Sequence, residues 1–349
     1  MESLYGKTLL DLQNLCLDLG LKKFNGEQIL RWLYQSKVKS IDEMTNLSLQ
    51  VRETLSKNYN VFLPEVMKIQ RSSDGTIKFL LKLEDGNLVE TVLMRYVYGN
   101  AVCVSSQVGC NMGCSFCASG LLRKVRDLTP AEMVSQVMTV ELELNKTNER
   151  VSHVVIMGIG EPFDNYDNVL KFIYTINEAK GLAIGARHIS VSTSGIVPKI
   201  KMIADEKLQI NLAISLHAPN DKIRDKIMKV NHAYNMEQLH DALIEYCNKT
   251  NRRLTFEYIL LKGINDKTED AIELAKWLEG TCSYVNLIPY NEVNESGYQR
   301  SDEKSINNFF NVLKKYKINA TIRREFGKDI EAACGQLRAK SEAKKHEKS

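Results

Sequence analysis

The chain has 349 residues, 44% of them hydrophobic and 26% charged, with a formal net charge of +4. That balance excludes an intrinsically disordered chain and a short disulfide-stapled scaffold, and no apolar run approaches the ~18 residues that a bilayer crossing needs. The opening Met1-Glu2-Ser3-Leu4-Tyr5 has neither the basic nor the apolar part of a secretory signal, so a cytoplasmic location is expected.

Residues 1–65 carry apolar positions at helical spacing, Leu9, Leu10, Leu12, Leu15 and Leu17, then Ile29, Leu30, Trp32 and Leu33. Polar breaks fall at Asn25-Gly26 and Ser40, and a small helical domain is predicted. Its Lys22, Lys23, Arg31, Lys37 and Lys39 either face nucleic acid or are simply solvated. Residues 66–98 turn β-rich. The runs Thr76–Leu83 and Leu88–Met94 flank Glu84-Asp85-Gly86-Asn87, which reads as a hairpin linker with ordinary turn chemistry. Glu90 sits inside the second run, where a carboxylate is disfavoured unless it faces water or a site, and facing water is the default.

From residue 99, short β-like runs alternate with amphipathic helical stretches. Strands are predicted near 101–106, 153–157, 188–193, 210–216, 254–261 and 283–289. Alternation of this kind implies parallel strands joined by crossover helices, and six such units over residues 99–300 imply a partial or full barrel. Thr129-Pro130-Ala131-Glu132 marks one helix start as a capping box with proline at the first turn. Residues 301–349 form a C-terminal segment with 12 Lys and Arg against 7 Asp and Glu, an excess of +5. Such an excess favours a polyanion such as RNA, or is merely solvated.

Eight cysteines in a chain of this size, in a reducing compartment, read as metal ligands, catalytic thiols or core residues. Cys110, Cys114 and Cys117 fall in a loop directly after the first barrel strand. Structural zinc prefers four ligands in two separated pairs, so C-x3-C-x2-C fits better a [4Fe-4S] cluster with one iron lacking a protein ligand. Zinc completed by Cys103 is the alternative. The spacing, with Phe116 before the last cysteine, resembles the radical SAM superfamily. The resemblance implies that the open iron chelates S-adenosylmethionine (SAM) and passes an electron to its sulfonium, releasing methionine and a 5′-deoxyadenosyl radical.

Ligands of βα barrels sit at the carboxyl ends of the strands. The second strand is followed by Met157-Gly158-Ile159-Gly160-Glu161-Pro162, which resembles the superfamily element that contacts the SAM amino group, with Gly160 for close approach and Glu161 as acceptor. Ser192 ends the third strand, Ser215, Leu216 and His217 the fourth, and Asn291 follows the sixth. Together these supply groups for ribose, carboxylate or adenine.

Two further thiols narrow the family. Cys103-Val104-Ser105-Ser106-Gln107 leads into the cluster, and Ala332-Ala333-Cys334-Gly335-Gln336-Leu337 lies near the end. With these motifs the chain resembles, over nearly its whole length, the RlmN/Cfr family of radical SAM RNA methyltransferases. The resemblance implies an α/β fold, a radical SAM (βα)6-type partial barrel with a small N-terminal helical domain and a β-hairpin extension. It implies that Cys334 takes a methyl group from one SAM, that a second SAM is cleaved to activate it, and that Cys103 resolves the protein–RNA adduct as a disulfide with Cys334. Glu90 matches the family position taken as proton acceptor, with a cysteine as the alternative base for the ring proton. The implied substrates are an adenine of 23S rRNA and one in a tRNA anticodon loop, methylated at C2, with electrons from a protein such as flavodoxin or ferredoxin and no membrane involved. Glu161-Pro162 and Gly185-Ala186-Arg187-His188 favour this over the family's C8 branch, which confers antibiotic resistance. A zinc-stabilised RNA-binding module is the non-enzymatic alternative. Lys229 stands where the resemblance leads one to expect proline, and Cys16, Cys247 and Cys282 read as packing residues.

Overall fold

The computed structural model describes residues 1–121 and 123–330. Periodic apolar spacing at the start of the chain gives helices α1 (Leu9–Asp18), α2 (Phe24–Arg31) and α3 (Leu49–Ser56). The polar break predicted at Asn25-Gly26 lies instead inside α2. Gly26 is buried where α2 crosses α1, and a Cβ there would sit 2.7 Å from the Gln13 nitrogen, so this glycine permits close helix packing and breaks nothing. The break falls earlier, at Gly20, whose φ is +72°.

Among the described residues one ten-stranded sheet takes its strands in chain order from edge to edge. These are β1 (Glu65–Arg71), β2 (Ile77–Lys82), β3 (Leu88–Tyr96), β4 (Gly99–Val104), β5 (Val151–Ile156), β6 (Ile189–Thr193), β7 (Asn211–Ser215), β8 (Leu254–Leu260), β9 (Ser283–Pro289) and β10 (Asn319–Ile322). From β1 to β4 the pairing is antiparallel and from β4 to β10 parallel. The expected hairpin is β2–β3, with β1 added outside it, and it continues the barrel sheet directly. The C-terminal segment contributes a further βα unit, helix Glu303–Lys315 and strand β10, which hydropathy patterning alone had not separated from the tail.

Crossover helices α4 (Pro130–Asn145), α5 (Tyr166–Asn177), α6 (Val197–Asp205), α7 (Asp221–Ile227), α8 (Met236–Thr250), α9 (Thr268–Trp277) and α10 (Glu303–Lys315) join the parallel strands. The Thr129 hydroxyl accepts from the Glu132 amide at 3.2 Å and the Glu132 carboxylate accepts from the Thr129 amide at 2.9 Å, so α4 starts with the expected capping box. Strand alternation then sorts the side chains. Val102, Val104, Val154, Ile156, Val191, Leu212 and Ile214 point under the helices and are inaccessible to solvent. The other face carries His153, Ser190, Ser192, Asn211, Ser215, Glu257 and Asn286. A packed barrel would fill that face with branched apolar side chains; polar ones line a channel instead. Cys16 and Cys247 lie in the core as expected, but Cys282, just before β9, is exposed and sits beside Cys247.

The helical region shares one hydrophobic cluster with the barrel. Lys37, a candidate RNA contact, pairs instead with the buried Glu141 of α4 at 2.7 Å. At Gly6 the chain passes against the start of α4: φ is +75° and a Cβ would lie 2.4 Å from the Ala131 nitrogen. The Gly6 amide donates to the Tyr34 hydroxyl and its carbonyl accepts from Thr175. Substituting Gly6→Ala therefore forces both an unfavourable backbone conformation and a backbone clash. The expected cost is about 2 kcal/mol or more, read as a melting temperature lowered by about 3 °C or more in thermal denaturation.

Candidate functional site

The loop between β4 and the first clustered cysteine is fixed by buried amides. Gln136 of α4 grips Ser105 from both sides, its oxygen accepting from the Ser105 amide at 2.8 Å and its nitrogen donating to the Ser105 carbonyl at 3.0 Å. The Ser105 hydroxyl donates to the Glu90 carbonyl and accepts from the Ile159 amide. Gln107 accepts from the Glu161 amide at 2.9 Å, and Asn165 donates to the carbonyls of Ser106 and Leu128. Buried polar groups satisfied in this way over-determine the backbone. They lock the Gly158–Glu161 turn against the start of the cysteine loop.

Cys110, Cys114 and Cys117 line one cavity of about 360 Å³, together with Gly160, Glu161, Ser192, Ser215, His217 and Asn291. The loop is pinned from the opposite side: the Ser115 amide donates to the Ile227 carbonyl at 3.0 Å, and the Tyr290 hydroxyl donates to the Phe116 carbonyl at 3.1 Å. The side chain of Lys229 lies over Gly113 and so becomes part of the loop's packing. Burial pushes the Cys110 thiol up to about 12 and raises Cys114 as well, with the charges of Glu161 and the neighbouring thiols acting in the same direction. Such thiols give up their protons to a metal far more readily than to water. Among the described residues no three His, Cys, Asp or Glu side chains are grouped to hold a single ion. Three separated thiols facing a cavity fit a [4Fe-4S] cluster, which gives each thiolate its own iron and leaves one iron open.

Polar groups from the strand ends face these thiols. Glu161 is 3% exposed; its carboxylate accepts from the Ser194 amide at 2.7 Å and the Phe163 amide at 3.0 Å. Burial raises its pKa, which a cation in the cavity would offset. The hydroxyls of Ser192 and Ser215 lie 3.3 Å apart on adjacent strands. His217 has φ +58°, its Nδ1 accepts from the Ile259 amide at 3.1 Å, and its ring stands edge-on to Phe116. Burial brings the His217 pKa down to about 3, with the Arg224 charge acting the same way, so the ring is neutral and carries its proton on Nε2. Leu216 stands apart: its side chain is in the core, its amide donates to the Glu257 carbonyl and its carbonyl accepts from Arg224, so it borders the cavity through its neighbours only.

Arg224 was not legible as a functional residue, since one arginine in a helical run looks like a solvated charge. It is fully buried, and its guanidinium donates to the carbonyls of Ser194, Ser215 and Leu216 and to Asn231. The ends of β6 and β7 are thus tied together by one cation. Burial brings its pKa down to about 10, which leaves it charged at neutral pH.

Cys103, on β4, is 8% exposed and lines the same cavity. It lies in a cross-sheet row with Lys78, Val92 and Val155. Glu90 does not face water. It is 4% exposed, two residues before Val92 on the cavity-facing side of β3, and its carboxylate is 3.8 Å from the ammonium of the wholly buried Lys78. Glu90 itself is not among the cavity-lining side chains. Residues 323–326, after β10, cross the cavity, and Phe326 packs with Met94, Ala101 and Cys103. Cys334 lies outside the described residues.

Comparison with known proteins accounts for this arrangement. Residues 104–275 match the radical SAM superfamily, and residues 3–61 match the ribosomal RNA large subunit methyltransferase N-terminal domain. A relative in Spiroplasma citri, named "Probable dual-specificity RNA methyltransferase RlmN", is 56% identical over 342 residues, covering 98% of this chain and 99% of its own. The chain belongs to the RlmN family of radical SAM enzymes. A relative of the same name in Shouchella clausii is 54% identical over 349 residues, 99% of this chain and 98% of its own. A radical SAM methyltransferase from Sphaerobacter thermophilus superposes with a TM-score of 0.93 at 40% identity, over 97% of this chain and 100% of that one. Membership in this radical SAM family brings SAM and a [4Fe-4S] cluster as cofactors, and among the described residues no helix is long and apolar enough to cross a membrane.

The site makes two predictions for an RlmN-family chain. Arg224→Met orphans three carbonyls and the Asn231 amide oxygen, and is expected to cost about 3–5 kcal/mol, a fall in melting temperature of about 4–7 °C. His217 takes up protons more readily unfolded than folded, so its share of stability is complete above its ordinary pKa of 6.5 and is lost as pH falls from there toward 3. Denaturant titrations of His217→Gln at several pH values are expected to give a flatter stability–pH curve across that window than the parent chain.

Proposed function

We propose that this chain methylates C2 of an adenine in 23S rRNA and of an adenine in the tRNA anticodon loop, in the cytoplasm, with two SAM molecules consumed per turnover and electrons from a small donor such as flavodoxin or ferredoxin. The single observation that carries the reading is the end-to-end likeness to dual-specificity RNA methyltransferases, over 98% of the chain in the first of them. A cavity bearing both the three-thiol loop and Cys103 supports it.

Cys110, Cys114 and Cys117 would hold the cluster, and Glu161 would accept the SAM ammonium, its remaining lone pairs facing the cavity. Ser192 and Ser215 would hold hydroxyl or carboxylate oxygens, the neutral His217 would donate from Nε2, and Gly160 and Asn291 would border the nucleoside, with Leu216 acting only through its neighbours Ser215 and His217. When bound, cluster and SAM together supply a carbon radical able to take hydrogen from an unactivated methyl group. Adenine C2 has no lone pair with which to attack a sulfonium, so the methyl group travels on a protein sulfur.

Cys334 is the carrier in this reading. Its thiolate displaces the methyl group from SAM, leaving S-adenosylhomocysteine and an S-methyl group. Joining of the activated carbon to C2 tethers the base to the Cys334 sulfur and leaves one unpaired electron on the ring, which a one-electron acceptor, the oxidised cluster left by SAM cleavage, would take up. Cys103 then attacks that sulfur: an S–S bond forms, the C–S bond breaks, and its electron pair goes to the departing carbon, which takes a proton to become the methyl group. Loss of the C2 proton restores aromaticity, and Glu90, held beside Lys78, is the acceptor. The disulfide requires two electrons before the next cycle. Phe326 already packs beside Cys103, and the eight residues onward to Cys334 span at most about 29 Å, ample for the two sulfurs to meet.

Anaerobic turnover with methyl-labelled SAM and RNA tests the reading. The expected product is 2-methyladenosine, absent with Cys334→Ala, while Cys103→Ala accumulates a covalent protein–RNA adduct detectable as a shifted band. Normal methyl transfer by Cys334→Ala eliminates the carrier thiol, and 8-methyladenosine as the sole product overturns the regiochemistry.

A further inference from the structure

The amino ends of the strands, opposite the cysteine loop, carry a feature that the reaction does not use. Five rings form a continuous ladder on the channel side of the sheet. His188 stacks on His153 at 4.3 Å, His153 meets Tyr98 edge-on at 5.1 Å, Tyr98 stacks on Tyr96 at 4.7 Å, and Tyr96 meets Phe326 at 4.7 Å. The outer members are open to solvent: Tyr98 is 65% exposed, and His188 is exposed. The inner members, Tyr96 and Phe326, pack in the patch that contains Cys103.

The rim around this ladder is basic. Arg150, Arg187, Arg253 and Lys317 each fall within two residues of the start of β5, β6, β8 and β10, and all four are exposed. Glu149, next to Arg150 in sequence, is already held by Arg95 at 2.7 Å. Arg253 lies over the Tyr284 ring at 4.4 Å, which adds a further cation-covered ring to the same rim. Burial and the neighbouring His188 both lower the pKa of His153, so its ring offers a neutral face at physiological pH.

Aromatic faces with interleaved cations are what unpaired bases and their phosphates bind, whereas a duplex hides its base faces. We infer that the ladder from His188 through Tyr98 to Phe326 is a stacking platform for the unpaired nucleotides flanking the target adenine, so that single-stranded RNA enters from the amino ends of the strands. This rests on the RNA-methyltransferase reading and adds to it the face by which the substrate arrives. The ladder ends at Cys103, where a flipped base would have to stop.

Fluorescence anisotropy with a short RNA hairpin, its loop holding one adenine, tests the platform against a blunt RNA duplex of equal length. Tyr98→Ala and His188→Ala are expected to bind the hairpin roughly fivefold to a hundredfold more weakly, the loss of one stacked base, with duplex binding unchanged. Tyr98→Phe, which keeps the ring face, is expected to restore hairpin affinity. A 2-aminopurine beside the loop adenine should be quenched by the parent chain and not by Tyr98→Ala. Both positions are exposed, and thermal melting checks the fold of each variant. Equal hairpin affinity in parent and alanine variants overturns the platform, as does an equal loss on hairpin and duplex. If the parent chain neither binds nor methylates the hairpin, natural rRNA or tRNA, the RNA reading itself falls; if it methylates RNA and the variants do so equally well, only the platform falls.

Discussion

A sheet that is apolar on one face and polar on the other cannot close into a packed barrel. In this chain that constraint governs the rest. The helices bury Val102, Val154, Val191 and Leu212, while the facing side of the same strands presents Ser192, Ser215, Glu257 and Asn286. Burying such groups without partners would cost on the order of 1–3 kcal/mol each, so they persist only where neighbours or a ligand satisfy them. Some are paired internally, as Asn286 is with Glu257 at 2.9 Å. At the cavity wall, in the turn after the cysteine loop, the Ser119 hydroxyl is buried with no partner among the described residues, as expected of a site shaped around something else.

Rigidity is concentrated where the chemistry needs it. The Gln136–Ser105 clasp and the Gln107–Glu161 contact join two loops that belong to different βα units, so the cysteine loop and the Gly158–Glu161 turn are held to one another. Arg224 does the same for β6 and β7 on the far side. A cavity assembled from strand ends would otherwise be limited by loop freedom, and a displacement of an ångström there is enough to spoil a hydrogen-atom transfer geometry.

Much of this was legible beforehand, for physical reasons. The thiol spacing, the capping box at Thr129 and the alternation of strands and helices are local signals, and the residues at successive strand ends follow from where parallel strands place their carboxyl termini. What escaped was non-local. Arg224 resembles any surface arginine until the carbonyls after β6 and at the end of β7, with the Asn231 side chain, converge on it. Gly26 reads as a break unless the crossing helix is known. Glu90 reads as solvent-facing because nothing in its own strand reveals Lys78 on the next one. Strand β10 is four residues long with three of them exposed, and such an edge strand has no hydrophobic pattern to detect.

The two edges of the open sheet are joined by the chain itself, and this bears on how a terminal thiol can serve a buried site. After β10 the backbone runs back across the cavity mouth, where the Gly327 amide donates to Asp74 and the Asp329 carboxylate accepts from Ser72 and Ser73 in the β1–β2 turn. The hydrogen bonds from Ser72 and Ser73 hold Asp329 below the usual carboxylate range. The two to Asp329 are exposed and individually weak, whereas the Gly327–Asp74 bond is partly buried. A carrier thiol must meet a methyl donor, a base and a resolving thiol in turn. In the proposed reading, the tether at Asp329, beyond the point where Phe326 packs beside Cys103, would keep the effective concentration of the Cys334 thiol high near Cys103.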